Sequence, residues 1–306
     1  MLKQQPNNRT APAAPSELQS DLNERGFRPA SPRGRHRTLI EPRRGWQALN
    51  LRELWRFREL LFFLVWRDVK IRYKQTVLGA AWAIIQPVMT MVVFTVFFGK
   101  LGGMAQHATT AYPVFVYAAL LPWTFFAAAV SLAGVSLIGS THLVSKVYFP
   151  RLLIPLASVG GSVLDFGISF VVMIGLMLAY GTTPTLGFTL VPVFALGTVL
   201  AAVGVGTLLS ALVVAYRDFR YVITFLVQLL MFASPVAYPL DIIPPRWQLL
   251  YCLNPVAGLI SGFRSALLGE PFRWDCIGAS LCTTLAVLAA GLYYFRRVER
   301  RFADII

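Results

Sequence analysis

Four basic residues stand directly before a long uncharged stretch of the chain. Arg67, Lys70, Arg72 and Lys74 lie within eight residues, and residues 77–98 that follow contain no charge at all. Cationic side chains are costly in the centre of a bilayer, whereas an uncharged helix of this length can cross roughly 30 Å of hydrocarbon. We therefore predict that this junction lies at the cytoplasmic surface of a membrane, where the four cations either attract anionic headgroups or simply anchor the span.

Asp165 is the second residue with chemical potential, because it is the one acidic side chain inside a predicted membrane span. An intramembrane carboxylate is a candidate for function. The alternative is a structural carboxyl that is protonated or paired with a neighbouring helix, and the absence of a proton-relay partner in the spans favours this interpretation. Small residues near Asp165 and in the next span predict close helix approach: Gly160, Gly161, Ser162, Gly167, Gly204, Gly206 and Ser210.

Motifs for catalysis are missing from the sequence. It contains no G-x-x-x-x-G-K-[ST] phosphate loop and no G-x-S-x-G nucleophile motif. Its three histidines, His36, His107 and His142, lie on separate segments, and no Cys or His spacing is typical of a metal site. The sequence thus predicts a non-catalytic chain with no metal and no cofactor of its own.

The cysteines do not form an obvious framework, because their number is odd: Cys252, Cys276 and Cys282. Cys252 and Cys276 are both predicted near the outer face. We expect unpaired thiols there, with a bridge between the two as the alternative.

Composition and charge distribution predict an all-α integral membrane protein. The 306 residues have a mean hydropathy of +0.61, and only 14% are charged, against about 25% in soluble domains. The net charge of +14 does not indicate nucleic-acid binding, because 16 of the 28 Lys and Arg residues precede residue 78, beside the first span. The predicted spans are six: 77–99, 112–136, 152–180, 188–215, 221–240 and 276–295. With both termini cytoplasmic, 24 of the 28 basic residues lie inside, which fits the positive-inside rule.

The remaining segments differ in kind. Residues 1–45 are rich in Pro, Arg, Asn and Ser, which predicts a disordered basic cytoplasmic tail that either touches headgroups or stays solvated. Residues 49–66 alternate polar and apolar positions at helical period, which predicts an amphipathic helix lying flat in the cytoplasmic interface. The connection 137–151 is predicted to form a short amphipathic helix. The proline-broken, apolar segment 241–275 predicts two short re-entrant helices between the fifth and sixth spans.

Aromatic side chains are frequent in the first two spans. Rings with polar edges suit the apolar faces and hydroxyl groups of sugars, although interfacial anchoring or core packing explains them equally well one by one. The candidates for lining a channel are Trp82, Phe94, Phe97, Phe98, Tyr117, Trp123 and Phe126.

Four stretches, taken together, resemble the permease subunit of ABC-type polysaccharide exporters, which export O-antigen and related cell-surface glycans. They are RDVKIRYKQTVLGAAWAIIQPVMTMVVFTVFFGKL (67–101), LVSKVYFPRLLIPLA (143–157), YRDFRYVITFLVQLLMFASPVAYPL (216–240) and LNPVAGLISGFRSALLGE (253–270). The resemblance covers residues 46–303, and the basic N-terminal extension departs from it.

The resemblance implies a homodimer in the bacterial inner membrane, served by two copies of a separate ABC ATPase that binds the ATP. Its substrate would be a polysaccharide linked to undecaprenyl diphosphate, whose diphosphate Arg67, Lys70, Arg72 and Lys74 would attract. The interface helix and the connection between the second and third spans would dock the ATPase, through Arg52, Arg56, His142, Leu143, Lys146 and Tyr148. The segment 241–272 would form a gate region that includes Asp241, Arg246, Asn254 and Arg264.

Three alternatives stay open. An exporter of the same family for capsule or teichoic-acid polymers would share every feature above. A membrane enzyme acting on lipid-linked sugars would need a cluster of catalytic acids or bases, and an ion-coupled flippase would need several intramembrane ionisable residues. The sequence shows neither, and an ATPase encoded beside this chain would decide for the exporter.

Overall fold

The computed structural model describes residues 51–74, 79, 81–146 and 148–299. The predicted tail, 1–45, lies outside these residues. Side chains at 51–53 and 144–146 are also outside the description, including those of the predicted docking residues Arg52 and Lys146. The segment Gln47–Ile306 forms one compact unit.

The described chain is built from helices joined by short turns. In chain order they are α1 (Leu51–Arg56), α2 (Arg58–Lys74), α3 (Ala81–Phe94), α4 (Tyr112–Gly139), α5 (Thr141–Lys146), α6 (Leu153–Ala179), α7 (Val191–Ala215), α8 (Phe219–Phe232), α9 (Pro245–Cys252), α10 (Ala257–Leu268) and α11 (Trp274–Val298). Helix α3 continues as a π-helix over Thr95–Leu101, and a 3-10 turn over Leu186–Leu190 leads into α7.

Five of these segments are long and apolar enough to cross a membrane: Ala81–Leu101, Tyr112–Gly139, Leu153–Ala179, Leu186–Ala215 and Trp274–Val298. They coincide with five of the predicted spans. Each coincides with a stretch of the sequence that has few or no charges. A helix suits such a stretch in the hydrocarbon region because it satisfies its backbone hydrogen bonds internally and needs no water.

The helix found at the fifth predicted span, 221–240, is shorter than that prediction. Helix α8 has 14 residues, or about 21 Å at the helical rise, and the chain leaves the helix at Ala233. Pro235 and Pro239 follow, and neither can donate a helical hydrogen bond. The count of six crossings therefore stays a prediction.

Helix α4 is the centre of the bundle. It is apolar on all sides, as expected for a helix surrounded by others, and it is packed between α6 and α7, while α7 also packs against α11. The contact between α7 and α11 is close at Gly204, where an added Cβ would lie 2.8 Å from the backbone of Leu288. The prediction that small residues allow close helix approach is confirmed here, at Gly206 against Ala133 and at Gly160 against Val65. It is wrong for Gly167, where an added Cβ would meet nothing within 4 Å.

Two ends of the bundle can be defined by what they contain. The basic end holds a cluster of buried apolar side chains, Leu64, Leu137, Leu153, Val214 and Phe295 among them. The far end holds α9, α10 and the first turn of α11. The predicted short helix within 137–151 is confirmed as α5 at the basic end, and the two short helices predicted within 241–275 are confirmed as α9 and α10 at the far end.

Candidate functional site

The four predicted headgroup residues lie on the last turns of α2, since this helix runs eight residues beyond the predicted boundary at residue 66. Cationic side chains suit the C-terminal end of a helix, where the backbone carbonyls concentrate negative charge. Helix α2 packs along the first half of α6: Val65 lies beside Gly160, and Arg72 reaches Asp165.

Two of the four cations are already paired with carboxylates. Arg72 and the Tyr73 hydroxyl both donate hydrogen bonds to Asp165, one to each carboxylate oxygen. Arg67 donates to its neighbour Asp68 at 2.8 Å. Lys70 and Lys74 are exposed and form no ion pair with any residue that the structure describes. The charge available to an anionic ligand therefore falls mainly to the two lysines.

Asp165 is paired with a neighbouring helix, as the structural one of the two interpretations expected. Its side chain is about one quarter exposed, so the pair sits at the edge of a space and not in the dry core. Sequence reasoning did not find Tyr73 as its second donor. The one indication in the sequence was Asp165 itself, because an acid inside a membrane span needs hydrogen-bond partners.

A cavity of about 260 Å³ adjoins this pair. Helices α2, α3, α4 and α6 enclose it, and among the described residues Trp82, Gln86, Thr124, Asp165 and Phe166 contribute to its lining. Gln86 was not singled out from the sequence, although it is the one amide in the uncharged run 77–98.

A second, larger cavity of about 630 Å³ lies on the other side of Arg72. Arg67 and Arg72 line it together with His142 and Leu143 from α5. The structure thus brings residues predicted for headgroup attraction next to residues predicted for ATPase docking. Of the other predicted docking residues, Arg56 is exposed on α1 and Tyr148 is 94% exposed after α5.

The predicted channel aromatics divide by burial. Trp82 and Phe97 are more than half exposed, at 53% and 61%, so their rings form part of the surface of the subunit. The remaining rings of the first span, Phe94 and Phe98, pack edge-to-face within it.

The three aromatics predicted for the second span pack inside the subunit. Tyr117 and Phe126 are completely buried, Trp123 is 3% exposed, and the Tyr117 hydroxyl donates to the backbone oxygen of Ser169. In this conformation their rings offer no surface to a substrate, and a channel role for them stays a prediction.

At the far end, side chains satisfy the backbone that α8 leaves open. The carbonyl of Phe232 accepts from Tyr238, that of Ala233 from Asn254, that of Pro235 from Arg264, and that of Ala237 from Tyr112. Non-helical backbone away from water is tolerated only where protein supplies such partners. Two predicted gate residues, Asn254 and Arg264, therefore hold the turn over 233–239 in place.

Arg264 is the most deeply buried charge at this end, with 2% of its side chain exposed. It contacts Glu270 at 3.3 Å and lies 4.0 Å above the centroid of the Phe115 ring. Thr109 donates a further hydrogen bond to Glu270. The sequence had not singled out Glu270, whose position just after α10 gives no pattern.

The other two predicted gate residues lie on the surface. Asp241 is exposed and pairs with Arg273 at 2.7 Å, and Arg246 is exposed beside the Trp247 ring. Between these surface residues and the core, the hydroxyls of Tyr238 and Tyr251 form a hydrogen bond of 3.1 Å. Burial raises the pKa of Tyr251 above its ordinary value, and the hydrogen bond to Tyr238 raises it further.

The expectation of unpaired thiols at Cys252 and Cys276 is wrong. The two form a disulfide that joins the end of α9 to the start of α11, and Cys282 is the free cysteine. The Ser280 hydroxyl lies beside the bridge, and its single hydrogen is within reach of two carbonyl oxygens of the same turn, those of Cys252 and Asn254. Counting cysteines gave the wrong answer because it carries no information on which of them meet in space.

Comparison with known proteins gives the family. Residues 59–268 match the family described as ABC-2 type transporter. The O-antigen export system permease protein RfbA of Klebsiella pneumoniae is 28% identical over 249 residues, which cover 81% of this chain and 95% of the relative. The protein of the same name from Myxococcus xanthus is 32% identical over 217 residues, covering 70% of this chain and 82% of the relative.

A shorter match concerns the inner membrane transport permease YadH of Escherichia coli K12, which is 43% identical over 54 residues, or 18% of this chain and 21% of the relative. The family match spans more than half of the chain, and the described helices agree with a multi-pass membrane protein. The chain therefore belongs to the ABC-2 type transporter family, as a multi-pass membrane subunit that works with an ABC ATPase.

Proposed function

We propose that this chain is the permease of an exporter that moves polysaccharide linked to undecaprenyl diphosphate, of the O-antigen class, across the bacterial inner membrane. The observation that carries the proposal is the likeness to permeases named for O-antigen export, which extends over 95% of the length of the Klebsiella pneumoniae relative. The four motifs quoted from the sequence fall largely within the residues of the family match.

The assembly we propose is a homodimer with two copies of the ATPase, which alone bind ATP. Both termini of the permease would lie in the cytoplasm. The distribution of charge supports this orientation, since it leaves only 4 of the 28 basic residues on the outer side.

Force from the ATPase would enter through the basic end. Arg56 and His142 are exposed there, and His142 lines the same cavity as Arg67 and Arg72. Because Arg72 is paired with Asp165, a push on α2 would be passed directly to α6. A structural coupling of this kind needs a rigid contact between the two helices, and the close approach of Val65 to Gly160 supplies a second one.

The substrate would meet the permease at the lysines of α2. Lys70 and Lys74 are four residues apart, so they lie on the same face of the helix, and both are exposed. A diphosphate carries its charge on oxygens that accept hydrogen bonds from ammonium groups, and such charge-assisted bonds are stronger than neutral ones. Arg67 and Arg72 would act mainly in holding α2, since they already have carboxylate partners.

Neutralising the two lysines tests the proposal in cells. In a strain that lacks the native permease, Lys70→Gln with Lys74→Gln should reduce polysaccharide at the cell surface and raise the lipid-linked form inside, with normal amounts of permease in the membrane. The matched control is Lys100→Gln, an exposed lysine at the other end of the first span. Normal export by the double variant would contradict a role in substrate binding and would indicate that these lysines only anchor the span.

A further inference from the structure

The cavity of about 260 Å³ beside Asp165 brings aromatic, amide and carboxylate groups together among the spanning helices. Its lining combines an indole ring at Trp82, an amide at Gln86 and a carboxylate at Asp165. Polar groups inside a membrane protein are retained where they pair with each other or with a ligand, because leaving them unpaired is costly.

Three polar groups of the lining have capacity left for a ligand. The side chain of Gln86 is exposed and bonds to no residue that the structure describes. The carboxylate of Asp165 accepts one bond on each oxygen, from Arg72 and Tyr73, which leaves further lone pairs open. The hydroxyl of Thr124 donates to its own helix at Leu121 and can still accept.

The ring of Trp82 adds an aromatic surface to these polar groups. The Trp82 side chain is 53% exposed, so its ring is not used up by packing. An aromatic ring offers an apolar face, and the indole N–H offers a donor at the edge. A flat apolar face, an amide and a carboxylate are together suited to the C–H face and the hydroxyl groups of a pyranose.

The size and position of the cavity limit what can occupy it. Its volume is somewhat below the roughly 300–1,000 Å³ of common ligand pockets, which suits one ring and excludes a folded polymer. Arg72 lines both this cavity and the larger one, and Lys74 follows two residues later. A sugar in the cavity would thus lie beside the basic end, within reach of cations that suit a diphosphate.

From these contacts we propose that the cavity binds a single sugar ring, the one bonded directly to the diphosphate of the lipid-linked substrate. The proposal rests on the function proposed above and adds to it a residue set for recognition: Trp82 stacks on the ring, while Gln86 and Asp165 bond to its hydroxyl or acetamido groups. Arg72 and Tyr73 fix the orientation of the Asp165 carboxylate. An acyl chain as occupant would leave the Gln86 amide without a partner.

The test compares two lipids on the purified full-length permease. The probes are undecaprenyl diphosphate and the same lipid carrying one N-acetylglucosamine, and binding is measured by native mass spectrometry in detergent. We expect the wild type to prefer the sugar-bearing lipid by about tenfold, as one or two added hydrogen bonds and a stacked ring would give. Trp82→Ala and Gln86→Leu should each reduce this preference by about 3- to 10-fold and leave the affinity for undecaprenyl diphosphate within about twofold.

The control is Met89→Ala, an exposed residue one turn further along α3 that does not line the cavity, and it should alter neither affinity. The preference is the deciding value, because a variant that is merely misfolded loses both lipids together. Equal binding of the two lipids by the wild type, or an unchanged preference in both variants, would overturn the sugar site and leave the proposed function standing. Failure of the wild type to bind either lipid would overturn the proposed function as well.

Discussion

Replacing Arg264 by methionine should lower the free energy of unfolding more than replacing an exposed residue at the far end. The guanidinium is 2% exposed and has three partners: Glu270 at 3.3 Å, the Pro235 carbonyl at 3.1 Å and the Phe115 ring at 4.0 Å. Removing one member of a buried ion pair costs about 3–5 kcal/mol, because the other charge stays behind without compensation. The hydroxyl of Thr109 still bonds to Glu270 in the variant, which places the expected loss near the lower end of this range.

Glu270→Gln should cost about 3 kcal/mol, near the lower end of the same range, because the 2% exposed guanidinium of Arg264 loses its counter-charge although the amide oxygen can still accept from it. In the double variant the penalty should be smaller than the sum of the two single changes by about 1–3 kcal/mol, since the unpaired carboxylate is gone. The assay is the free energy of unfolding in mixed micelles, titrated with sodium dodecyl sulfate and followed by tryptophan fluorescence.

Arg246→Met is the matched control, because Arg246 is an exposed arginine of the same end, and its loss should stay within about 0.5 kcal/mol. Equal losses for Arg264→Met and Arg246→Met, or strictly additive penalties in the double variant, would refute the assignment of Arg264 as the buried partner that holds the turn over 233–239.

Three further predictions concern packing and the far end. Gly204→Leu should destabilise the protein by about 1–3 kcal/mol because its side chain would meet the facing backbone of α11, whereas Gly278→Leu, with open space around it, should be tolerated when both are compared by thermal unfolding. Replacing Cys252 and Cys276 by serine should lower stability by about 2–4 kcal/mol, the usual value for a bridge across 24 residues, and thiol titration of the denatured, unreduced wild type should find one free thiol; three would contradict the bridge. Asn254→Ala should cost about 1–3 kcal/mol, since a carbonyl after α8 loses its donor, and faster amide hydrogen exchange over 233–239 should accompany it.

The long helices were predictable because their signal is local. An uncharged run of about 20 residues can be read directly from the sequence, and so can the basic residues beside it. Hydropathy also explains why the fifth predicted span is longer than helix α8. The apolar pattern continues past Ala233, but the chain can leave the helix there because Asn254 and Arg264, far along the chain, supply donors to the freed carbonyls.

The contacts within the candidate sites were less accessible to sequence reasoning, because they join distant residues. Arg72 and Asp165 are 93 residues apart, and nothing in the sequence indicates that they meet. Each residue was notable by itself, Arg72 as a cation at a predicted membrane border and Asp165 as an acid inside a predicted span. The bridge between Cys252 and Cys276 is similar: the positions were correctly placed near one face, but pairing depends on how α9 folds back onto α11.

The most direct test of the account is transport in reconstituted vesicles. The permease is purified with its ABC ATPase partner, inserted into liposomes that contain a polysaccharide linked to undecaprenyl diphosphate, and supplied with ATP. We predict that the polysaccharide changes sides only when both proteins and ATP are present, and that this chain alone hydrolyses no ATP. Transport without the ATPase, or ATP hydrolysis by the isolated permease, would contradict the account.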